Sequence, residues 1–267
     1  MKIGVFDSGV GGLTVLRVLR NCYPKLDLIY FGDTARVPYG NKSVKSIKQY
    51  SVENAQFLLE KGAEAIVIAC NTSAAVAEVL LREKFSVPIF GVIDPGVDAV
   101  LKTTKINKIA VLGTHRTISS HVYSEKIKQK NKNITVYEKA CPLLVPIIEE
   151  GLPNEKILLS VVRQYLDDLA EVVDVFLLGC THYPLIKSFI EKTYAEKNIS
   201  VVDSASSLAE DLPKHISCSE GNGATEIYTS DLNEVFQLIF SQLFPKEKAI
   251  LTEIASAKNT TAKNKKG

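Results

Sequence analysis

Short apolar runs alternate with amphipathic stretches along nearly the whole chain, and this rhythm limits the folds open to it. The runs read as strands at Ile3–Phe6, Leu28–Phe31, Ala65–Ala69, Ile89–Val92, Ile109–Leu112, Ile134–Tyr137, Val175–Leu178 and Ser200–Val202. Helical spacing of apolar residues covers Leu13–Arg20, Val44–Leu59, Ala74–Arg82, His121–Gln129, Leu143–Glu150, Glu155–Leu169 and Pro184–Tyr194. Runs apolar on both faces suit parallel strands with helices packed on each side. The pattern therefore predicts an α/β protein with mainly parallel sheets flanked by helices.

Two of the runs are versions of each other. Ala65-Ile-Val-Ile-Ala-Cys70-Asn71-Thr72 and Val175-Phe-Leu-Leu-Gly-Cys180-Thr181-His182 each end in a cysteine, followed by small polar residues and a helical pattern. Lys2-Ile-Gly-Val-Phe-Asp7-Ser8-Gly9 likewise resembles Lys108-Ile-Ala-Val-Leu-Gly113-Thr114-His115. The two lysines and the two cysteines are separated by nearly the same interval, which predicts a pair of pseudo-symmetric units of roughly 100 residues. Ile93-Asp94-Pro95-Gly96 reads as the crossing between them, because Pro and Gly punctuate chains. After a helix start near Asp203-Ser204-Ala205, a strand at Glu226–Ser230 and a helix at Leu232–Leu243 are left over. They can return to complete the first unit. The expected domains are residues 1–95 plus 208–255, and 96–207.

The strand ends carry the chemistry. Ligands of open α/β sheets sit beyond the carboxyl ends of the strands. Two thiols delivered there by matching units suit opposite faces of one substrate. One can take a proton from a carbon while the other returns one. Cys70 precedes Asn71-Thr72-Ser73, which supply capping side chains, and unpaired N–H groups at a helix start favour a thiolate. Cys180 precedes Thr181-His182-Tyr183-Pro184. Thr181 or His182 can cap, Pro184 fits a first helical turn, and His182 can exchange a proton with the thiol. Asp7, after the first strand, can tune Cys70, hold a substrate ammonium or cap the helix near Gly11. Pro38-Tyr39-Gly40 forms a turn that offers backbone N–H groups and a phenol. Glu149 and Glu150 end an apolar helix, and one of them can face inward.

Other readings of these residues stay open. Ser8-Gly9-Val10-Gly11-Gly12 looks like a phosphate cradle but lacks the Lys-Ser/Thr ending of a P-loop and the spacing of a dinucleotide fingerprint. Cys70, Cys180 and His182 could hold zinc, although no Cys-x-x-Cys spacing is present. Cys22, Cys141 and Cys218 have no repeat partner and no strand-end setting, and are read as structural.

Five scattered cysteines and no export signal argue for reduced thiols and a cytosolic setting. No run is long enough for a membrane span. Residues 256–267 hold Lys258, Lys263, Lys265 and Lys266 and no acid, so the formal charge of +2 conceals a slightly acidic body. That tail is expected to be disordered, and no nucleic-acid partner is expected.

Together these segments resemble the glutamate racemases of the aspartate/glutamate racemase superfamily. The resemblance is carried by Gly4-Val-Phe-Asp7-Ser8-Gly9-Val-Gly11-Gly12, Asp33–Gly40, Ala69-Cys70-Asn71-Thr72, Cys141-Pro-Leu-Leu-Val-Pro-Ile-Ile-Glu149 and Gly179-Cys180-Thr181-His182-Tyr-Pro184, in the family's order. Ser73-Ala74 departs from it, since many members have Ala before Ser or Thr. The resemblance implies two α/β domains with the active site between them. It also implies cofactor-independent interconversion of L- and D-glutamate, with Cys70 and Cys180 as the acid/base pair. Asp7 would support Cys70, while Glu149 and His182 would support Cys180. Asp7, Ser8, Pro38, Tyr39, Gly40, Asn71, Thr72, Thr181 and His182 would contact the substrate. D-glutamate for peptidoglycan and a homodimer are further implications. Members with effector control can carry an N-terminal extension, which is not expected here. Aspartate or another amino acid as substrate, and a non-catalytic metal- or redox-binding protein, are the alternatives.

Overall fold

The computed structural model describes residues 1–151, 154–218, 221–245 and 249–254. The expected tail lies outside these residues. The strands are β1 (Lys2–Asp7), β2 (Asp27–Gly32), β3 (Ala65–Ile68), β4 (Ile89–Gly91), β5 (Lys108–Gly113), β6 (Thr135–Ala140), β7 (Val175–Gly179), β8 (Ser200–Val202), β9 (Thr225–Thr229) and β10 (Ile250–Glu253). The helices are α1 (Leu13–Cys22), α2 (Val44–Glu60), α3 (Asn71–Lys84), α4 (Ile93–Thr103), α5 (His115–Ser119), α6 (Val122–Lys130), α7 (Leu144–Glu149), α8 (Glu155–Ala170), α9 (Lys187–Thr193), α10 (Ala205–Asp211) and α11 (Glu234–Leu243).

Two parallel sheets result. One runs β10-β9-β2-β1-β3-β4 and the other β6-β5-β7-β8. The internal repeat is visible in this order: β2-β1-β3-β4 and β6-β5-β7-β8 are the same arrangement, and the matched segments occupy matched places. β9 and β10 extend the first sheet beyond β2. β1, β3 and β7 are buried on both faces apart from Lys2, which explains their nearly continuous apolar reading.

In each sheet the chain leaves the first strand to one side, then returns to its other side. This reversal opens a crevice at the strands' carboxyl ends. In the first sheet it lies between β1 and β3, where Phe6 pairs in register with Ile68. In the second it lies between β5 and β7, where Gly113 pairs with Gly179. Cys70 and Cys180 follow β3 and β7 at these two points.

Three local expectations are corrected. Ile93–Gly96 is the first turn of α4, where Pro95 fits because the first helical N–H groups need no partner within the helix. α3 begins at Asn71 with Cys70 in the cap position, and none of the expected side chains caps it. Neither Thr181 nor His182 caps the short 3₁₀ turn Tyr183–Ile186, because both are drawn into tertiary contacts.

Candidate active site

The loop after β1 closes around its own carboxylate. Asp7 is fully buried, and its Oδ2 accepts the Gly9 and Gly12 N–H groups, each at 3.0 Å. Its Oδ1 accepts the Thr181 hydroxyl at 3.0 Å, from the other sheet. The carboxylate therefore acts as an anchor for the loop before α1 and as a bridge between the sheets. Burial pushes the Asp7 carboxyl above its ordinary pKa, against the His182 charge and these three donors.

The loops of the two sheets interlock. Thr14 donates to the Thr181 carbonyl at 3.2 Å. Asn71 donates to the Tyr123 hydroxyl at 2.7 Å, and the Thr72 hydroxyl lies 2.9 Å from that of Thr114 and 3.3 Å from that of Thr117. A Cβ on Gly11 would stand 2.5 Å from His182 Nδ1 and 2.6 Å from Thr181 Oγ1. A Cβ on Gly40 would stand 2.5 Å from the Thr114 Cβ. Glycine at both positions lets the backbones approach this closely.

Each thiol has its own surroundings. Cys70 is 3% exposed, packs with Tyr39 and Ile47, and donates to the Ser8 hydroxyl at 3.6 Å. Burial, and then the Asp7 charge, push its pKa up to about 12; the Ser73 N–H, the Ser8 hydroxyl and the Ser73 hydroxyl oppose that rise. Cys180 is 6% exposed, with its sulfur 3.8 Å from His182 Nδ1. His182 Nε2 lies 2.5 Å from Glu149 Oε1. Glu149, His182 and Cys180 thus form a line. Burial opposes charge on His182, but Cys180 and Glu149 outweigh it and raise the imidazole well above its ordinary pKa. Burial would raise Glu149, yet the His182 hydrogen bond and charge hold it below its ordinary value.

Two side chains behave differently from expectation. The Tyr39 phenol is not free for a ligand: it donates to Asp33 and accepts from Asn54 at 3.2 Å. The residue before it, Pro38, is joined to Val37 by a cis peptide bond. Cys141 does have a strand-end setting, because β6 continues through Glu138 and Lys139 to Ala140. These charged residues hid the end of the strand read at Ile134–Tyr137, and β6 tolerates them because it lies at the sheet's edge. The Cys141 carbonyl accepts the Tyr183 hydroxyl at 2.9 Å, and burial pushes its thiol up to about 12. Cys22 is exposed and Cys218 buried, and all five cysteines are free.

Several residues at this meeting point were not singled out from the sequence. Tyr123, Thr114 and Thr117 hold the Asn71-Thr72 pair, and the Tyr30 hydroxyl donates to the Gly9 carbonyl at 2.7 Å. Thr114 had one available clue, its place at the end of the strand that repeats β1.

The comparisons with known proteins agree with this geometry. The Asp/Glu/Hydantoin racemase family model matches residues 12–212. A glutamate racemase of Persephonella marina is 47% identical over 238 residues, covering 89% of this chain and 91% of that protein. The crystal structure of a glutamate racemase isoform from Bacillus anthracis superposes with a TM-score of 0.87 at 34% identity, over 94% of this chain and 96% of that one. The glutamate racemase of Francisella tularensis in complex with D-glutamate has a TM-score of 0.83 at 34% identity, over 96% and 98%. The chain therefore belongs to the Asp/Glu/Hydantoin racemase family as an amino-acid racemase, an isomerase.

Proposed function

We propose that the protein interconverts L- and D-glutamate without a cofactor, using Cys70 and Cys180 as two bases on opposite faces of Cα. The observation that carries this reading is the placement of one buried cysteine at the crevice of each sheet, with the two loops hydrogen-bonded through Thr181 and Asp7. The D-glutamate bound in the Francisella tularensis relative supports the choice of substrate.

The α-hydrogen of an amino acid is a very weak acid, and one base would have to change faces to invert the centre. Two groups avoid this: a thiolate accepts while a thiol donates from the other side. Cys70, raised by burial and by Asp7, rests as the thiol and donates when L-glutamate reacts. Cys180 then accepts, with the His182 imidazolium and Glu149 behind it. In the D-to-L direction Cys70 accepts and Cys180 donates. Negative charge developing at the substrate is met in a water-poor site by fixed donors. In this reading Ser8, Pro38-Tyr39-Gly40, Asn71-Thr72 and Thr181-His182 contact the substrate, Tyr39 through its backbone because its phenol is occupied. Asp7 has three donors already and supports Cys70 by charge.

The domains fall at residues 1–95 plus 208–255, and 96–207. The protein forms a homodimer in the cytosol and supplies D-glutamate for peptidoglycan, both on family grounds. No helix of the described residues is long and apolar enough to cross a membrane.

The test is exchange in heavy water. L- or D-glutamate should gain α-deuterium and lose optical activity with no cofactor added. A Cys180→Ala enzyme at full rate would overturn the two-base assignment. Faster turnover of aspartate in the same assay would overturn the assignment of glutamate.

A further inference from the structure

Cys70 occupies the cap position of α3, and Ser73 is the third residue of that helix. A side chain at this third position can reach back to the cap residue, as glutamate does in a capping box. Ser73 is fully buried, and its hydroxyl has no hydrogen-bond partner among the described residues. A buried hydroxyl left unpaired is costly, so an acceptor that exists only part of the time is a physical reason to keep it.

We infer that the Ser73 hydroxyl is a positioning group for Cys70, donating a hydrogen bond to its sulfur when that sulfur is the thiolate. A neutral thiol is a poor acceptor and a thiolate a strong one. The bond therefore weakens as Cys70 takes up the proton from D-glutamate and strengthens again as Cys70 gives that proton away and returns to the thiolate. No atom is transferred to or from Ser73. Once the sulfur is charged, the Ser73 N–H and hydroxyl counter the burial that raises the Cys70 thiol. Ser8 meets the sulfur in both states: its hydroxyl accepts from the neutral thiol at 3.6 Å and also opposes the rise of the thiol's pKa.

This rests on the reading of Cys70 as an acid/base group, and its test has a readout independent of turnover. The purified enzyme is alkylated with iodoacetamide over a pH series, and the Cys70 peptide is quantified by mass spectrometry. Only the thiolate reacts, so the rate reports how readily it forms. In Ser73→Ala the Cys70 alkylation rate at pH 9 should fall about tenfold, the weight of one hydrogen bond to a charged group. kcat/KM should fall by a similar factor, and Ser73→Thr, which keeps the hydroxyl, should restore both. Unchanged alkylation in a folded Ser73→Ala enzyme, or a raised KM with unchanged alkylation, overturns the assignment. Cys70→Ala separates the two ideas: full racemisation without that thiol would refute its catalytic role while leaving the alkylation result intact.

Discussion

Thr181 donates its hydroxyl to Asp7 across 3.0 Å, joining the residue after Cys180 to the last residue of β1. The bond ties the second sheet's strand-end loop to the carboxylate that shapes the first sheet's loop. Thr181→Val should leave Asp7 Oδ1 buried without this donor. The expected cost is about 2 kcal/mol in urea unfolding at pH 7. The Asp7 carboxyl, already raised by burial, should rise further. A carboxyl raised on folding weakens the native state as pH climbs from 3.8 through the raised value, so the loss should be larger at pH 7 than at pH 4.

Removing either thiol should end turnover. Cys70→Ala and Cys180→Ala are each expected to lower kcat/KM by about 10³-fold, measured by circular dichroism of glutamate solutions. Enantiomers have equal free energy in water, so the loss must be equal from the L and the D side. A loss confined to one direction would point to an error in the assay. Parent-like rates would refute the role of that thiol.

The Glu149–His182 pair predicts a titration. His182 is raised well above 6.5, so its stabilising contribution is complete below 6.5 and is lost as pH rises through the raised value. Glu149 is held below 4.5, so its contribution is complete above 4.5 and is lost as pH falls through the lowered value. The pair therefore stabilises the fold across neutral pH. Glu149→Gln should drop the His182 pKa toward its ordinary value in an NMR titration. It should also destabilise the protein by about 3 kcal/mol at pH 7, as expected when one partner of a buried pair is removed.

Gly11→Ala tests how close the two loops must come. The added methyl would meet His182 Nδ1 at 2.5 Å and the His182 backbone nitrogen at 2.7 Å. Overpacking of this kind costs about 1–3 kcal/mol, and a 1 Å displacement of a reacting group costs about 100-fold in rate. The expected outcome is a folded enzyme with kcat lowered by that order, read from steady-state kinetics and a thermal melt. A parent-like kcat would show that the loops have room to separate.

Asp7, Cys70, Cys180 and His182 were legible because each stands where an apolar run breaks into polar residues, and the repeat marked two of those breaks as equivalent. Glu149 was legible only as one of two neighbouring acids. The short range of helix and strand formation sets such features, so the residues themselves determine them. The full extent of β6 was not legible, since edge strands accept Glu138 and Lys139 without an apolar signature.

Sequence alone determined the parallel α/β architecture, because strands buried on both faces must be apolar throughout and their ends must carry the polar groups. Tertiary structure alone decided the partners: Tyr123 for Asn71, Thr114 for Thr72, Thr181 for Asp7, Glu149 for His182. These pairs are far apart along the chain and consist of common residues. Their meaning comes from the strand-end loops of two sheets brought into contact, and no local pattern encodes that approach.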